Sequence, residues 1–323
     1  MSDPIWIGFD LGGTKMLTIA YDDDWKEVGR KRRKTQSRDK ADNGPQRIAS
    51  TIEKLIEENE LEGRPIAGIG VGCPGPIDLT KGKLMSTANL GWDDVDVRGM
   101  LSKKFDAAVE VMNDVDAGVF GEYRFGAAKG SRCAVGIFPG TGVGGGCVYE
   151  DHILTGDGIS AFEIGHTRIS DSRRTSGDGM AGTVEAIASR LSIAAEAAKL
   201  AQRGDAPNLL RDVGTDIADI KSGALASSIE KGDAAVRRVV EEAAAVIGAA
   251  VVNCVHLLCP DVIVLGGGMV EAMEDLWVHG VKKAARDQVM PVYRDRFDVK
   301  AAKLGDDAGV MGAAAYARRV LGG

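Results

Sequence analysis

Ile5-Trp6-Ile7-Gly8-Phe9-Asp10-Leu11-Gly12-Gly13-Thr14-Lys15-Met16-Leu17-Thr18-Ile19-Ala20 decides how the chain is read. Two β-type apolar runs flank a turn that carries Asp, two Gly, Thr and Lys. Gly12 and Gly13 let backbone N–H groups approach an anion closely, and successive N–H groups form a concave nest for it. Asp10 suits a hydrated cation and Lys15 suits phosphate charge. The plainer alternative is an ordinary glycine hairpin turn. The stretch is not a P-loop, because Gly-Thr-Lys replaces Gly-Lys-Ser/Thr and a strand follows where a P-loop has a helix.

The totals narrow the choice. A chain of 323 residues suggests about two domains. Its 44% hydrophobic and 27% charged content is that of a globular protein. Glycine, at 43 residues, is about twice the usual share, which predicts many close backbone approaches. A net charge of −7 argues against sequence-independent nucleic-acid binding. No apolar run reaches the ~18 residues of a membrane span, and no basic leader precedes Ile5. Five cysteines without a C-x-x-C pair suit free thiols in the cytoplasm.

Along the chain, the patterns predict strands over 5–9 and 16–21, and then Arg30 to Lys34. That basic run reads as a solvated edge strand or as a polyanion contact. Apolar residues Ile48, Ile52, Leu55 and Ile56 share one face of a helix over 44–61. A strand over 66–71 enters Gly70-Val71-Gly72-Cys73-Pro74-Gly75. Pro74 and Pro76 forbid the helix that a dinucleotide site requires, so this is a rigid turn. Residues 89–92 read as a loop and 95–105 as a short helix. The strand 109–112 ends in Asn113-Asp114. A carboxylate at a strand's carboxyl end is where open α/β sheets bind ligands, and Asp114 also suits the cap of the next helix.

Cys133 to Tyr149 repeats the opening layout, with Pro139-Gly140-Thr141-Gly142-Val143-Gly144-Gly145-Gly146 as its turn. Two related halves, each offering one glycine loop, follow from that repeat. Residues 151–183 look irregular. Helices are expected over 184–202, 215–230, 232–257, 269–286 and 309–321, and strands over 262–265 and 298–302.

Taken in this order, the motifs resemble the ROK family of repressors and sugar kinases. Gly8 to Lys15 and Gly140 to Gly146 are similar to its two phosphate loops. Gly72 to Asp78 is similar to its Pro-Gly turn. Asn89 to Trp92 and Asn113-Asp114 resemble its sugar-side segments, and Glu163-Ile164-Gly165-His166 its E-x-G-H. Gly266-Gly267-Gly268 and Asp306 to Gly309 resemble its nucleotide-side segments.

The resemblance implies an α/β, two-lobed actin-like ATPase (ribonuclease H-like) fold with a cleft between the lobes. The expected domains are 1–116, completed by the C-terminal helix 306–323, and 117–305. It implies transfer of the γ-phosphoryl group of ATP to a hexose, glucose at C6 first. Fructose, N-acetylmannosamine or N-acetylglucosamine are alternative acceptors, polyphosphate an alternative donor, and a sugar-sensing regulator the rival class. Asp114 is then the catalytic base. Asn89, Asn113, Asp114, Glu163, His166 and Glu185 are the sugar ligands, although a structural role for His166 competes. Asp10, Gly12, Gly13, Thr14, Lys15, Gly140, Thr141, Gly142, Gly144, Gly267 and Gly268 face the nucleotide, with Asp10 toward Mg²⁺. A homodimer without nucleic-acid or membrane partners is expected.

Two departures stand out. Family members carry three cysteines after E-x-G-H that complete a zinc site, where this chain has Ser176, Asp178 and Thr183. Ser and Thr are not normal zinc ligands, so no structural zinc is expected, and hydrogen bonds, as from Arg173 or Arg174, take its place. The family's glycine before the Glu of E-x-G-H is Phe162 here.

Overall fold

A computed structural model describes residues 3–13, 15–35, 44–87 and 90–322. The chain divides into two units. The first holds Met1–Gly130, His152–Phe162 and Lys303–Gly323; the second holds Ser131–Asp151 and Glu163–Ala302. The expected boundary at 116 falls inside a helix of the first unit, which continues to Gly130.

The first unit opens with β1 (Ile5–Leu11), β2 (Lys15–Tyr21), β3 (Glu27–Lys34), α1 (Gly44–Glu58) and β4 (Ile66–Cys73). It continues with β5 (Ile77–Asp78), β6 (Lys83–Thr87), β7 (Trp92–Asp96), α2 (Val97–Phe105), β8 (Val109–Asn113) and α3 (Asp114–Arg124). Its main sheet has the order β3-β2-β1-β4-β8. The first two pairings are antiparallel, and β1, β4 and β8 run parallel. The basic run thus forms the edge strand expected of it. Strand β7 replaces part of the expected loop over 89–92. Leu90 and Trp92 are buried there, so apolar anchoring overrode the turn signal of Gly91.

Strand alternation sorts the sheet's faces. Ile5, Ile7, Phe9, Leu11, Ile69, Val71, Val109 and Val111 pack with Ile48, Ile52 and Leu55 of α1 and Val97 and Leu101 of α2. Leu17, Ile19 and Tyr21 pack on the other face with Val310 and Ala314 of the chain's last helix.

The second unit repeats the plan. Strands β9 (Cys133–Pro139) and β10 (Val143–Tyr149) form an antiparallel hairpin. The two-residue β11 (His152–Ile153) opens the return to the first unit. There, Leu79 N donates to Gly158 O at 2.8 Å. Helices α4 (Val184–Ala188), α5 (Arg190–Gln202), α6 (Pro207–Val213), α7 (Ser222–Glu230) and α8 (Ala234–Leu258) follow. Strand β12 (Val262–Leu265) pairs in parallel with both β9 and β13 (Asp298–Ala301). Helices α9 (Gly268–Ala272) and α10 (Glu274–Gln288) lie between β12 and β13, and α11 (Ala308–Leu321) ends the chain in the first unit.

Three helix boundaries differ from expectation. Residues 184–202 split at Ser189, whose extended backbone and side chain cap α5. Residues 269–286 split at Met273, whose φ of −147° is not helical. The expected 215–230 shortens to α7, while Pro207 starts α6, a helix the apolar pattern did not reveal. Helix α8 is long and apolar enough to cross a membrane, but half of its apolar window is buried inside the protein, as in a core helix.

Helix α11 lies unusually close to its neighbours. A Cβ on Gly8 would come 2.0 Å from Val310 O, and one on Gly70 would come 1.9 Å from Ala313 O. Across the α3–α11 crossing, a Cβ on Gly121 would meet Ala308 O at 2.3 Å, and one on Gly312 would meet Ala117 O at 1.7 Å. Glu122, fully buried in α3, accepts from Ala127 N at 2.7 Å, Lys303 N at 2.8 Å and Leu304 N at 2.7 Å. It thereby ties the lead-in of α11 to α3.

In a solvent-facing helix, Gly→Ala stabilises by up to about 1 kcal/mol. At Gly312 the carbonyl of Ala117 reverses that sign, and overpacking costs about 1–3 kcal/mol. Gly312→Ala is expected to lower the melting temperature by several degrees. Gly223→Ala, in α7 with open space around it, is expected to leave it unchanged or higher. Equal effects of the two in thermal denaturation would reject the close α3–α11 crossing.

Candidate active site

The parallel pairing of β1, β4 and β8 brings their carboxyl ends side by side, with Asp10 opposite Gly72 and Cys73 opposite Asn113. Alternation turns Asp10 toward the α11 face, where a Cβ on Gly309 would lie 3.1 Å from Asp10 Cγ. Gly72 admits the start of α3, its virtual Cβ lying 3.5 Å from Asp114 Cα. The Asp10 and Asp114 carboxylates therefore interact. Burial first, and then the negative charge of Asp114, push the Asp10 carboxyl up to about 7, against the pull of Lys15. A buried carboxylate crowded by a second one fits a hard dication such as Mg²⁺.

The N-cap position is Asn113, and Asp114 Oδ1 also accepts from Val115 N at 3.0 Å. Asn113 Oδ1 accepts from Val115 N at 2.8 Å and from Asp116 N at 3.2 Å. This commits the oxygen of Asn113 and leaves its NH₂ end to serve a ligand. Cys73 is fully buried beside both carboxylates, and its thiol is pushed up well above the usual range, chiefly by burial.

The first glycine turn is closed by Gly12 N donating to Lys15 O at 2.9 Å, and Thr35 Oγ1 donates to Gly12 O at 2.6 Å. A Cβ on Gly13 would meet nothing within 4 Å, so that side of the turn is open to an approaching group. Thr14 and Asn89 lie outside the described residues. Lys15 pairs with Asp306 at 2.5 Å, Arg32 with Asp306 at 3.1 Å, and Arg30 with both oxygens of Asp307 at 2.8 Å. Lys31 pairs with Glu58. The basic run is thus largely matched by acids of its own unit.

In the second unit, Gly140 N donates to Gly142 O at 2.8 Å and Arg190 N to Gly140 O at 2.8 Å. Arg190 Nη2 also reaches Thr141 Oγ1 at 3.3 Å. Glu185 braces this second glycine turn, its Oε2 accepting from Val143 N at 2.9 Å. A Cβ on Gly142 would stand 2.3 Å from that same oxygen, so a side chain there would displace the Glu185 carboxylate from its bond to Val143 N. The sequence reading missed this bracing; the 42-residue gap hides it. Gly144 lies in β10 opposite Phe138. Gly267, at φ +83°, approaches Pro139 O, and Gly268 starts α9. The glycine-rich ends of β9, β10 and β12 therefore come together.

Residues 164–166 form a 3₁₀ turn pressed onto β10, since a Cβ on Gly165 would sit 2.0 Å from Val143 O. Glu163 Oε2 lies 3.9 Å from His166 Nε2, and its side chain is 62% exposed. On the other side of the ring, His166 Nδ1 lies 3.2 Å from Asp178 Oδ2. Ser176 donates to Asp178, which holds that carboxyl below the usual range, and also to Met180 O at 3.1 Å. Thr183 caps α4 through Ala186 N. The residues at the would-be zinc positions are thus engaged in hydrogen bonds and do not fit a zinc site. The expected substitutes differ: Ser176 and Asp178 carry the network, while Arg174 faces Glu196 at 3.6 Å.

Phe162 sits at φ +65°. A bulky residue in this left-handed region carries a strain of roughly 1–2 kcal/mol that glycine does not.

These two mixed sheets and their glycine turns match known proteins across the chain. The ROK family model covers residues 6–320. The glucokinase of Thermotoga maritima is 31% identical over 320 residues, 98% of each chain. A crystal structure of a ROK family glucokinase from Streptomyces griseus, in complex with glucose and AMPPNP, matches with TM-score 0.81 at 26% identity over 98% of this chain and 99% of that one. The ROK hexokinase structure from Thermus thermophilus matches with TM-score 0.82 at 26% identity over 99% of this chain and 100% of that one. With a family match that begins inside β1 and ends inside α11, the chain belongs to the ROK family.

Proposed function

We propose that this chain transfers the γ-phosphoryl group of ATP to a hexose, forming glucose 6-phosphate from glucose. The observation that carries the reading is the Asp10–Asp114 pair at the carboxyl edge of β1 and β8, beside an open glycine turn. The glucokinases among the chain's relatives point to the same acceptor and donor.

Phosphoryl transfer is mainly positioning and charge stabilisation. N–H groups of Gly13, Gly142 and Gly144 serve phosphate oxygens, while Gly12 and Gly140 close the turns that present them, with Thr14, Thr141 and Lys15 adding polar contacts. Gly267 and Gly268 serve the nucleoside side. Mg²⁺, when bound, neutralises phosphate charge, and Asp10 would hold it through water. Asp114 accepts the proton of the attacking hydroxyl as its oxygen bonds to phosphorus. The NH₂ of Asn113 and the carboxylate of Glu163 orient the ring hydroxyls, and Asn89, Glu185 and His166 complete the set.

ATP is favoured over polyphosphate, because Arg30, Lys31 and Arg32 are matched by Glu27, Asp307, Glu58 and Asp306 and leave little net charge for a polyanion. We place the enzyme in the cytoplasm, on five free cysteines, as a homodimer without a nucleic-acid partner.

Asp114→Asn is expected to lose about 10²–10⁴ in kcat while glucose still binds by calorimetry. Near-normal turnover of that variant in a coupled ADP assay rejects Asp114 as the base. Crossing ATP and polyphosphate against glucose, fructose, N-acetylmannosamine and N-acetylglucosamine is expected to give the highest kcat/KM for ATP with glucose. A higher value for another pair replaces the donor or acceptor accordingly.

A further inference from the structure

Phe162 has no part in the reaction as described, yet the backbone singles it out. Eight non-glycine residues among those described have a left-handed φ. Others have a visible reason for it. The ring of Trp25 packs edge-on against Phe125 at 5.0 Å, and Arg318 lies over it. Asp106 and Cys259 cap the carboxyl ends of α2 and α8, where left-handed residues are the rule. Phe162 ends no helix and is only half-buried, so core packing does not offset its strain. Strain that persists without a packing reason points to function.

Its neighbour supplies the function. Glu163 precedes a turn fixed on the carboxyl side, where Gly165 meets Val143 O and His166 N donates to Glu163 O at 3.0 Å. The path of the main chain into Glu163 is then set from the amino side, by the backbone at residue 162. The bulk beside it is a phenyl ring where the family pattern has no side chain.

We propose that Phe162 sets the acceptor specificity of this chain: its left-handed backbone sets where Glu163 leaves the main chain, and its ring walls the space beside it. The site therefore takes an unsubstituted hexose and excludes 2-acetamido-2-deoxy sugars. A ring stacked beside a sugar's C–H face adds apolar contact, while an acetamido group needs the volume the ring fills. This inference rests on the reading of Glu163 as a sugar ligand.

The test measures kcat and KM for glucose, N-acetylmannosamine and N-acetylglucosamine, KM for ATP, and the melting temperature, in Phe162→Gly, Phe162→Ala and Glu163→Gln. Phe162→Gly is expected to raise the glucose KM about 5–10-fold and to cut the preference for glucose over the acetamido sugars by at least about 10-fold. KM for ATP stays within about twofold, and the melting temperature is unchanged or higher because glycine relieves the left-handed strain. Phe162→Ala, which removes the ring and keeps a Cβ, shows the same loss of preference. A preference unchanged in both Phe162 variants, with Glu163→Gln impaired for glucose, overturns this proposal alone. Full glucose affinity in Glu163→Gln overturns the reading beneath it.

Discussion

The close seat of the last helix on the first strands is the constraint on which the first unit depends. Helix α11 meets β1 and β4 at backbone, because Gly8 and Gly70 place only hydrogen atoms beneath Val310 O and Ala313 O, and it meets β2 through Leu17, Ile19 and Tyr21. That seat brings Gly309 against Asp10 and carries Asp306 and Asp307 to Lys15, Arg32 and Arg30. Any Cβ under α11 would lift its amino-terminal turn off the carboxylate. The ion pairs are largely exposed, where such pairs contribute at most about 1 kcal/mol, so they cannot hold α11 by themselves. Packing sets the position, and the charges then match across it. Glu122 adds a buried clamp, taking two backbone N–H groups from the segment leading into the helix and a third from Ala127 after α3.

The second unit solves the same problem with different chemistry. Its hairpin also needs close approaches, at Gly142, Gly165 and Gly267. There the supporting oxygen belongs to a side chain, Glu185, which accepts from Val143 N. A residue expected to face the sugar thus also shapes the second glycine turn. One carboxylate has two oxygens, so both tasks are compatible: Oε2 is engaged by Val143 N. The electrostatic contrast between the units follows. The first brings two carboxylates together at Asp10 and Asp114, while the second offers neutral N–H groups at its turn.

Much of this was legible in the sequence, for physical reasons that can be named. Strand–turn–strand patterns around Gly12 and Gly140 gave both hairpins, since alternation and glycine are local signals. Asp114 was identifiable from its place at the end of an apolar run. The α11 seat was not, because it joins Gly8 to Val310 across nearly the whole chain, and glycines inside strands do not say what approaches them. Glu122 was invisible for the same reason: a buried carboxylate bonded only to backbone has no partner residue to search for. Asn113 took the N-cap position, because a side chain one residue before the helix is better placed to reach the second and third N–H groups. The splits at Ser189 and Met273 lay within continuous apolar periodicity, where a single extended residue leaves no compositional mark.

The segment after Gly165 shows what the loss of three cysteines changes. A structural zinc supplies about 10–16 kcal/mol to the fold around it, whereas each hydrogen bond nets about 1 kcal/mol. Here the segment doubles back on itself by backbone bonds. Ile169 N and Ser170 N donate to Gly182 O, Gly182 N to Arg174 O, and Ser176 N to Met180 O. Arg168 and Thr183 add an isolated bridge. His166 Nδ1 stands 3.2 Å from Asp178 Oδ2 without a hydrogen bond, and Asp178 is held by Ser176; the first two side chains are part-exposed. The main chain of Glu163 is set on both sides, by the left-handed backbone at Phe162 and by the His166 N–H, while its side chain is 62% exposed. Departures from the family pattern at residue 162 and at 176–183, which look unrelated in the sequence, thus act on the same turn.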